Sequence, residues 1–85
     1  LKLIFDYLDI MNFSIGEKVS LQVPMPYLKT ADSISMLRPP DLVSLDEVGV
    51  IIGIRPKDLL EVKFRRGNFL IPAERLKLIL KDNDI

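Results

Sequence analysis

The sequence predicts a mostly β fold built from short strands. Three observations carry this: apolar residues that alternate with polar ones, glycines set inside an apolar strand, and a proline-led turn just before the last apolar run. Alternation at period two places one set of side chains on a buried face and the other in water. Residues 17–23 read this way, with Val19, Leu21 and Val23 on one face and Lys18, Ser20 and Gln22 on the other. Residues 47–54 form a second strand, apolar on both sides, with Gly49 and Gly53 within it. Glycine inside a strand marks a bulge, a tight bend or a close backbone approach. Pro56, Lys57 and Asp58 make a turn. Leu60, Val62 and Phe64 then point inward, with Glu61, Lys63 and Arg65 outward. A hairpin at Arg66, Gly67 and Asn68 leads to the return strand Phe69, Leu70 and Ile71. Pro72 opens one helical turn, and residues 76–80 close as a last short strand.

Five short strands, a long first loop and one helical turn before the last strand describe a small SH3-like barrel. Strong coiling of so small a sheet suits the glycines of the second strand. The domain is expected to span residues 13–81, with a frayed tail at 82–85. Residues 1–12 read as an N-terminal extension, either a short amphipathic helix or a stretch preceding a natural start at Met11. In helical spacing Leu1, Ile4, Phe5, Leu8 and Met11 share one face, too short a run to span a membrane.

Composition removes several classes of chemistry. The 85 residues make one domain, and their 48% hydrophobic content supplies a core and argues against a disordered chain. With no cysteine and no histidine, there is no disulfide, thiol nucleophile, imidazole base, or thiolate or imidazole metal ligand. Carboxylates alone remain for hard cations, and their spacing is not that of a calcium loop. No catalytic residues, metal site or cofactor are therefore expected. Twelve cationic residues balance twelve acidic ones, so no global field steers the chain toward nucleic acid or an anionic membrane. The basic cluster of Arg55, Lys63, Arg65 and Arg66 lacks interleaved stacking aromatics, and nucleic-acid binding is not expected.

The candidate binding element is the long first loop, residues 24–42, which holds four of the six prolines. Structureless connections of this length are uncommon in small domains unless functional or disordered, and this one is too apolar for disorder. Pro39 and Pro40 push the residues before them toward extended geometry, so Met36, Leu37 and Arg38 would be displayed at a fixed angle. Met36 and Leu37 either face a partner or fold back to cap the core. Arg38 offers a planar fork for carboxylate or phosphate, or pairs with Asp32 or Asp41. Thr30 and Asp32 fit either a polar partner or a local turn, and Tyr27 either an exposed anchor or a lid. The partner-binding set is Tyr27, Lys29, Asp32, Met36, Leu37, Arg38, Pro39, Pro40 and Asp41, joined by Arg65 and Arg66.

Five stretches carry a family resemblance: Ile15-Gly-Glu-Lys-Val19, Pro26-Tyr-Leu-Lys-Thr-Ala-Asp32, Met36-Leu-Arg-Pro-Pro-Asp-Leu42, Gly49-Val50 and Phe64-Arg-Arg-Gly-Asn-Phe-Leu70. Through them the chain resembles the cyanobacterial NblS-interacting protein family, SipA. Ser33 and the Pro56-Lys57-Asp58 turn depart from that family's pattern. The resemblance implies a cytoplasmic, monomeric, non-enzymatic adaptor that binds the cytoplasmic part of a sensor histidine kinase and stimulates its autophosphorylation. The alternative is a small structural or docking subunit of a photosynthetic complex, with an RNA-binding barrel a further one.

Overall fold

The computed structural model describes residues 13–79. The N-terminal extension, the end of the last predicted strand at Leu80 and the tail at 82–85 lie outside the described residues. Seven strands follow in order: β1 Lys18–Leu21, β2 Leu28–Thr30, β3 Leu37–Arg38, β4 Gly49–Arg55, β5 Leu59–Phe64, β6 Gly67–Pro72 and β7 Leu76–Leu78. Two 3-10 turns, Pro40–Leu42 and Ala73–Arg75, are the helical elements among the described residues. All seven strands join one antiparallel sheet in the order β3-β2-β6-β5-β4-β1-β7.

The two additional strands lie inside the predicted first loop. Residues 24–42 are not structureless: β2 and β3 pair there as a hairpin, and β2 continues onto β6. Three residues are too few to show a period by themselves, which is why alternation missed them. Closure of a barrel is not found among the described residues. β3 and β7 are the sheet's edges, and they pair with β2 and β1 rather than with each other.

One core serves the whole sheet. Val19 and Leu21 of β1, Leu28 of β2, Ile51 of β4, Leu60, Val62 and Phe64 of β5, Phe69 and Ile71 of β6, and Leu76 of β7 form a single buried cluster. Phe13, Val43 and Ala73 complete it from the connections. No second sheet or long helix covers this face among the described residues. A single sheet that buries its own inner face must curl around it. The irregularity that helps it curl falls between Ile51 and Gly53, where Ile52 has no partner in the β4–β5 register. Such a bulge bends its strand and raises the local twist.

The connections follow the sequence with one shift. Pro56, Lys57 and Asp58 join β4 to β5, and Lys57 (φ 63°) and Asp58 (φ 59°) both take left-handed backbone. The β5–β6 turn sits one residue earlier than the sequence suggests. Phe64 pairs with Gly67, so Arg65 and Arg66 form the tip, and the positive φ of 149° falls on Gly67.

Candidate functional site

Two concavities flank the β2–β3 hairpin, and the side-chain alternation of its strands decides what each one holds. Directly paired residues present side chains on the same face of a sheet. Arg38 lies opposite buried Leu28, on the inner face, whereas Leu37 lies opposite Lys29, on the outer face beside Leu70.

The first concavity, about 400 Å³, opens at the inner face where the sheet ends. Leu42 and buried Phe69 give it apolar wall, Thr30 and Asn68 polar wall, and Asp32, Arg38, Pro39 and Arg66 its charged and proline-stiffened rim. Residues as far apart in sequence as Thr30 and Phe69 thus meet from three separate elements: the β2–β3 hairpin, the segment leading into the 3-10 turn, and the turn and return strand of the β5–β6 hairpin. Pro40 opens that 3-10 turn, as proline suits a first helical position, and the turn delivers half-buried Leu42 and buried Val43 to the core.

Thr30 holds the hairpin in shape. Its Oγ1 accepts the Met36 N–H at 2.9 Å, and its own N–H donates to the Met36 carbonyl at 2.9 Å. The hydroxyl is therefore a local structural bond, one of the two readings its sequence context allows. Thr30→Val keeps the shape but leaves the part-buried Met36 N–H without its acceptor. The expected loss is about 1 kcal/mol. It would appear as a lower urea midpoint at unchanged slope, with faster hydrogen exchange at the Met36 amide.

Met36 and Leu37 do not cap the core. Met36 is 51% exposed and Leu37 65%, and Ile34 at the hairpin tip is 79% exposed. Capping falls instead to Val43, with Leu42 and Met25 packed against the cluster. Arg38 and Asp41 are exposed, and neither forms an ion pair within 4.0 Å among the described residues, where Arg55–Glu61 at 3.0 Å is the recorded pair.

The second concavity, about 300 Å³, lies on the outer face. Met25, Pro26 and Tyr27 cross over Leu59, Leu70 and Pro72, with Lys29 and Arg75 at its margin. Arg75 anchors the crossing segment by donating from Nη1 to the Pro24 carbonyl at 2.9 Å. Tyr27 is half exposed and Lys29 exposed, so Tyr27 is not a buried lid. Sequence reasoning gave this groove only Tyr27 and Lys29. Leu70, Pro72 and Arg75 read as plain strand and turn residues, and the β2–β6 and β5–β6 registers, with the Arg75–Pro24 bond, bring them and Leu59 to the crossing segment.

The predicted binding set therefore divides. Asp32, Arg38, Pro39 and Arg66 meet at the inner-face concavity, while Tyr27 and Lys29 belong to the outer groove. Pro40 and Asp41 are exposed on the 3-10 turn. Arg65 turns toward a shallow depression with Ser44, Asp46, Glu47 and Val48, and its backbone N–H donates to Glu47 Oε2 at 2.8 Å. Arg55, bound to Glu61, leaves the basic cluster.

Fold and surface define a small antiparallel β module whose distinctive features are two concavities and an exposed apolar hairpin. A family model described as Protein CHLORORESPIRATORY REDUCTION 42-like matches residues 15–76, from the approach to β1 to the start of β7. The chain belongs to this family, CRR42-like. No curated protein and no solved structure matches it.

The match overturns the resemblance to the NblS-interacting family, and with it the histidine-kinase adaptor role. The structure gives the physical reason why the shared stretches misled. The run at 26–32 forms β2 and the threonine that fixes the hairpin, and the run at 36–42 forms β3 and the 3-10 turn that carries Leu42. The run at 64–70 is the β5–β6 turn with core residues Phe64 and Phe69. These residues build a shape, and a shape does not name a partner.

Proposed function

We propose that this chain is a non-enzymatic docking or structural subunit of a photosynthetic complex serving chlororespiratory reduction. The observation that carries the reading is the family match over residues 15–76, whose description names chlororespiratory reduction. The exposed Ile34, Met36 and Leu37 beside a concavity bearing Arg38 and Arg66 support a role in binding another protein. As part of the same reading, the curled sheet is an SH3-like barrel left open between β3 and β7. The β4 bulge, the 3-10 turn before β7 and the position of β1 between β4 and β7 support that geometry. No helix among the described residues is long and apolar enough to cross a membrane, so docking onto other subunits is the proposed means of association.

The test is to express the tagged chain in a photosynthetic host, solubilise the membranes gently and separate complexes on a native gel. The tag should co-migrate with identified subunits of a photosynthetic complex, and loss of the chain should slow chlororespiratory reduction. A tag that runs only as the free chain, with reduction unaffected by the chain's loss, rejects the proposal.

A further inference from the structure

The described chain has five arginines, and three of them have local engagements. Arg55 is ion-paired with Glu61, Arg75 donates to the Pro24 carbonyl, and Arg65 lies in the depression beside Asp46 and Glu47. Arg38 and Arg66 differ. They come from separate elements, line the same concavity and form no ion pair within 4.0 Å among the described residues. Asp32 lines the concavity too but pairs with neither, so its lining carries two arginines against one aspartate. A planar guanidinium fork matches a carboxylate, and two arginines against one aspartate at a single concavity leave a charge there that one more anionic group would balance.

Among the described residues, no strand pairs with the outer side of β3, the sheet edge beside the concavity. The Thr30 N–H donates to the Met36 carbonyl, which marks Thr30–Met36 as a bonded pair, and bonded pairs alternate along an antiparallel ladder. At the Lys29–Leu37 pair the Leu37 N–H and C=O therefore point away from β2, available to an added strand. Leu37, on the outer face, is largely exposed, while Met36 shares the inner face with Arg38. A strand laid on this edge would alternate in the same way. One residue would turn inward to the arginines, and its two neighbours outward to the side of Leu37.

We propose that the concavity between Arg38 and Arg66 receives a carboxylate side chain from an extended acidic and apolar segment of a partner protein, which pairs with the open edge of β3. This inference rests on the docking reading and specifies the chemistry of the partner. Charge complementarity selects an acidic occupant. Nucleic acid is the weaker fit, because the aromatic at the concavity, Phe69, is buried and offers no stacking face, and the chain has no net charge.

The test uses the full isotope-labelled chain and a capped peptide, Thr-Thr-Val-Glu-Val-Thr-Thr, with its glutamine counterpart, followed by backbone amide shifts. The glutamate peptide should give saturable shifts at Thr30, Leu37, Arg38, Arg66 and Asn68. Its glutamine counterpart should bind about ten-fold more weakly, and Arg38→Gln and Arg66→Gln should each weaken the glutamate peptide about five-fold, as expected for solvent-accessible charge pairs. Both arginines are exposed, so the thermal midpoints should barely move. If Arg38→Gln unfolds the chain, the Arg66→Gln arm decides. No shifts at millimolar peptide, equal affinity for both peptides, or tighter binding of a single-stranded RNA octamer to the same amides would overturn the proposal. A chain that fails this test yet co-migrates with a photosynthetic complex loses the concavity as its site and keeps its docking role. The opposite pair of results sinks the docking role alone.

Discussion

Phe64→Ala is expected to destabilise the sheet by about 3–5 kcal/mol, most of what a domain this small holds in reserve. Phe64 is buried near the end of β5, its ring centroid 6.5 Å from that of Phe69. Its ring also fills the space above Gly49 on the neighbouring strand. Truncation removes apolar contact with both neighbouring strands, β4 and β6, and the surrounding backbone is tied by the β4–β5 and β5–β6 ladders and cannot collapse freely into the void. With no tryptophan in the chain, far-UV circular dichroism against urea is the suitable readout. The variant should be partly or wholly unfolded without denaturant. A midpoint close to that of the unaltered chain would show that the ring is not a core element.

The opposite error should be nearly as damaging. At Gly49 an added Cβ would stand 2.7 Å from Phe64 Cε1, 2.8 Å from Phe64 Cδ1 and 2.7 Å from Val62 Cγ1. These are a packed ring edge and a β-branched methyl, so the clash has no flexible tip to absorb it. Gly49→Ala should cost about 1–3 kcal/mol through overpacking. The two positions should also be coupled. In a Phe64→Leu background the ring edge is gone, and Gly49→Ala should cost measurably less than in the unaltered chain, as expected for residues in contact. Equal costs in both backgrounds would place the strain in the backbone instead.

Both predictions rest on features that the sequence made partly legible. The alternation of Leu60, Val62 and Phe64 is the β5 core pattern found in the structure, because a half-buried strand writes its orientation directly into its residues. The glycines at 49 and 53 announced a close approach or a bulge, and the structure has one of each: a close approach at Gly49 and a register shift ending at Gly53. The strands of the first loop were not legible. β2 is held by pairing to β6, and β3 by pairing to β2 and by one threonine hydroxyl; those partners lie far along the chain or depend on a single atom. Val23 was expected to share the inner face with Val19 and Leu21, but β1 ends at Leu21 and Val23 is exposed.

Site legibility followed the same physics. Proline stiffness marked residues 36–41 as a displayed element, and Met36, Leu37 and Arg38 are exposed there. The convergence of Arg38 with Arg66 was out of reach, since it depends on which strand β2 meets. The family was also out of reach. The quoted motifs encode the hairpin, the 3-10 turn and the core, which are demands of the fold, and the family match is what corrected the functional reading.

The place of β1 in the sheet has a consequence for how the protein is made. β1 is the first strand described, yet its neighbours are β4 and β7, with Val19 set against both Gly49 and Leu78. During synthesis, β2 to β6 can begin to associate while β1 still lacks one flank. Only when Leu78 has emerged can the last rung form and the apolar face around Val19 and Leu21 be sealed. Pairings between such distant parts of a chain are slow to form, because loop closure precedes any gain from contact. Until then the nascent chain carries an incompletely flanked apolar strand, the kind of surface on which chaperones act and from which aggregation starts.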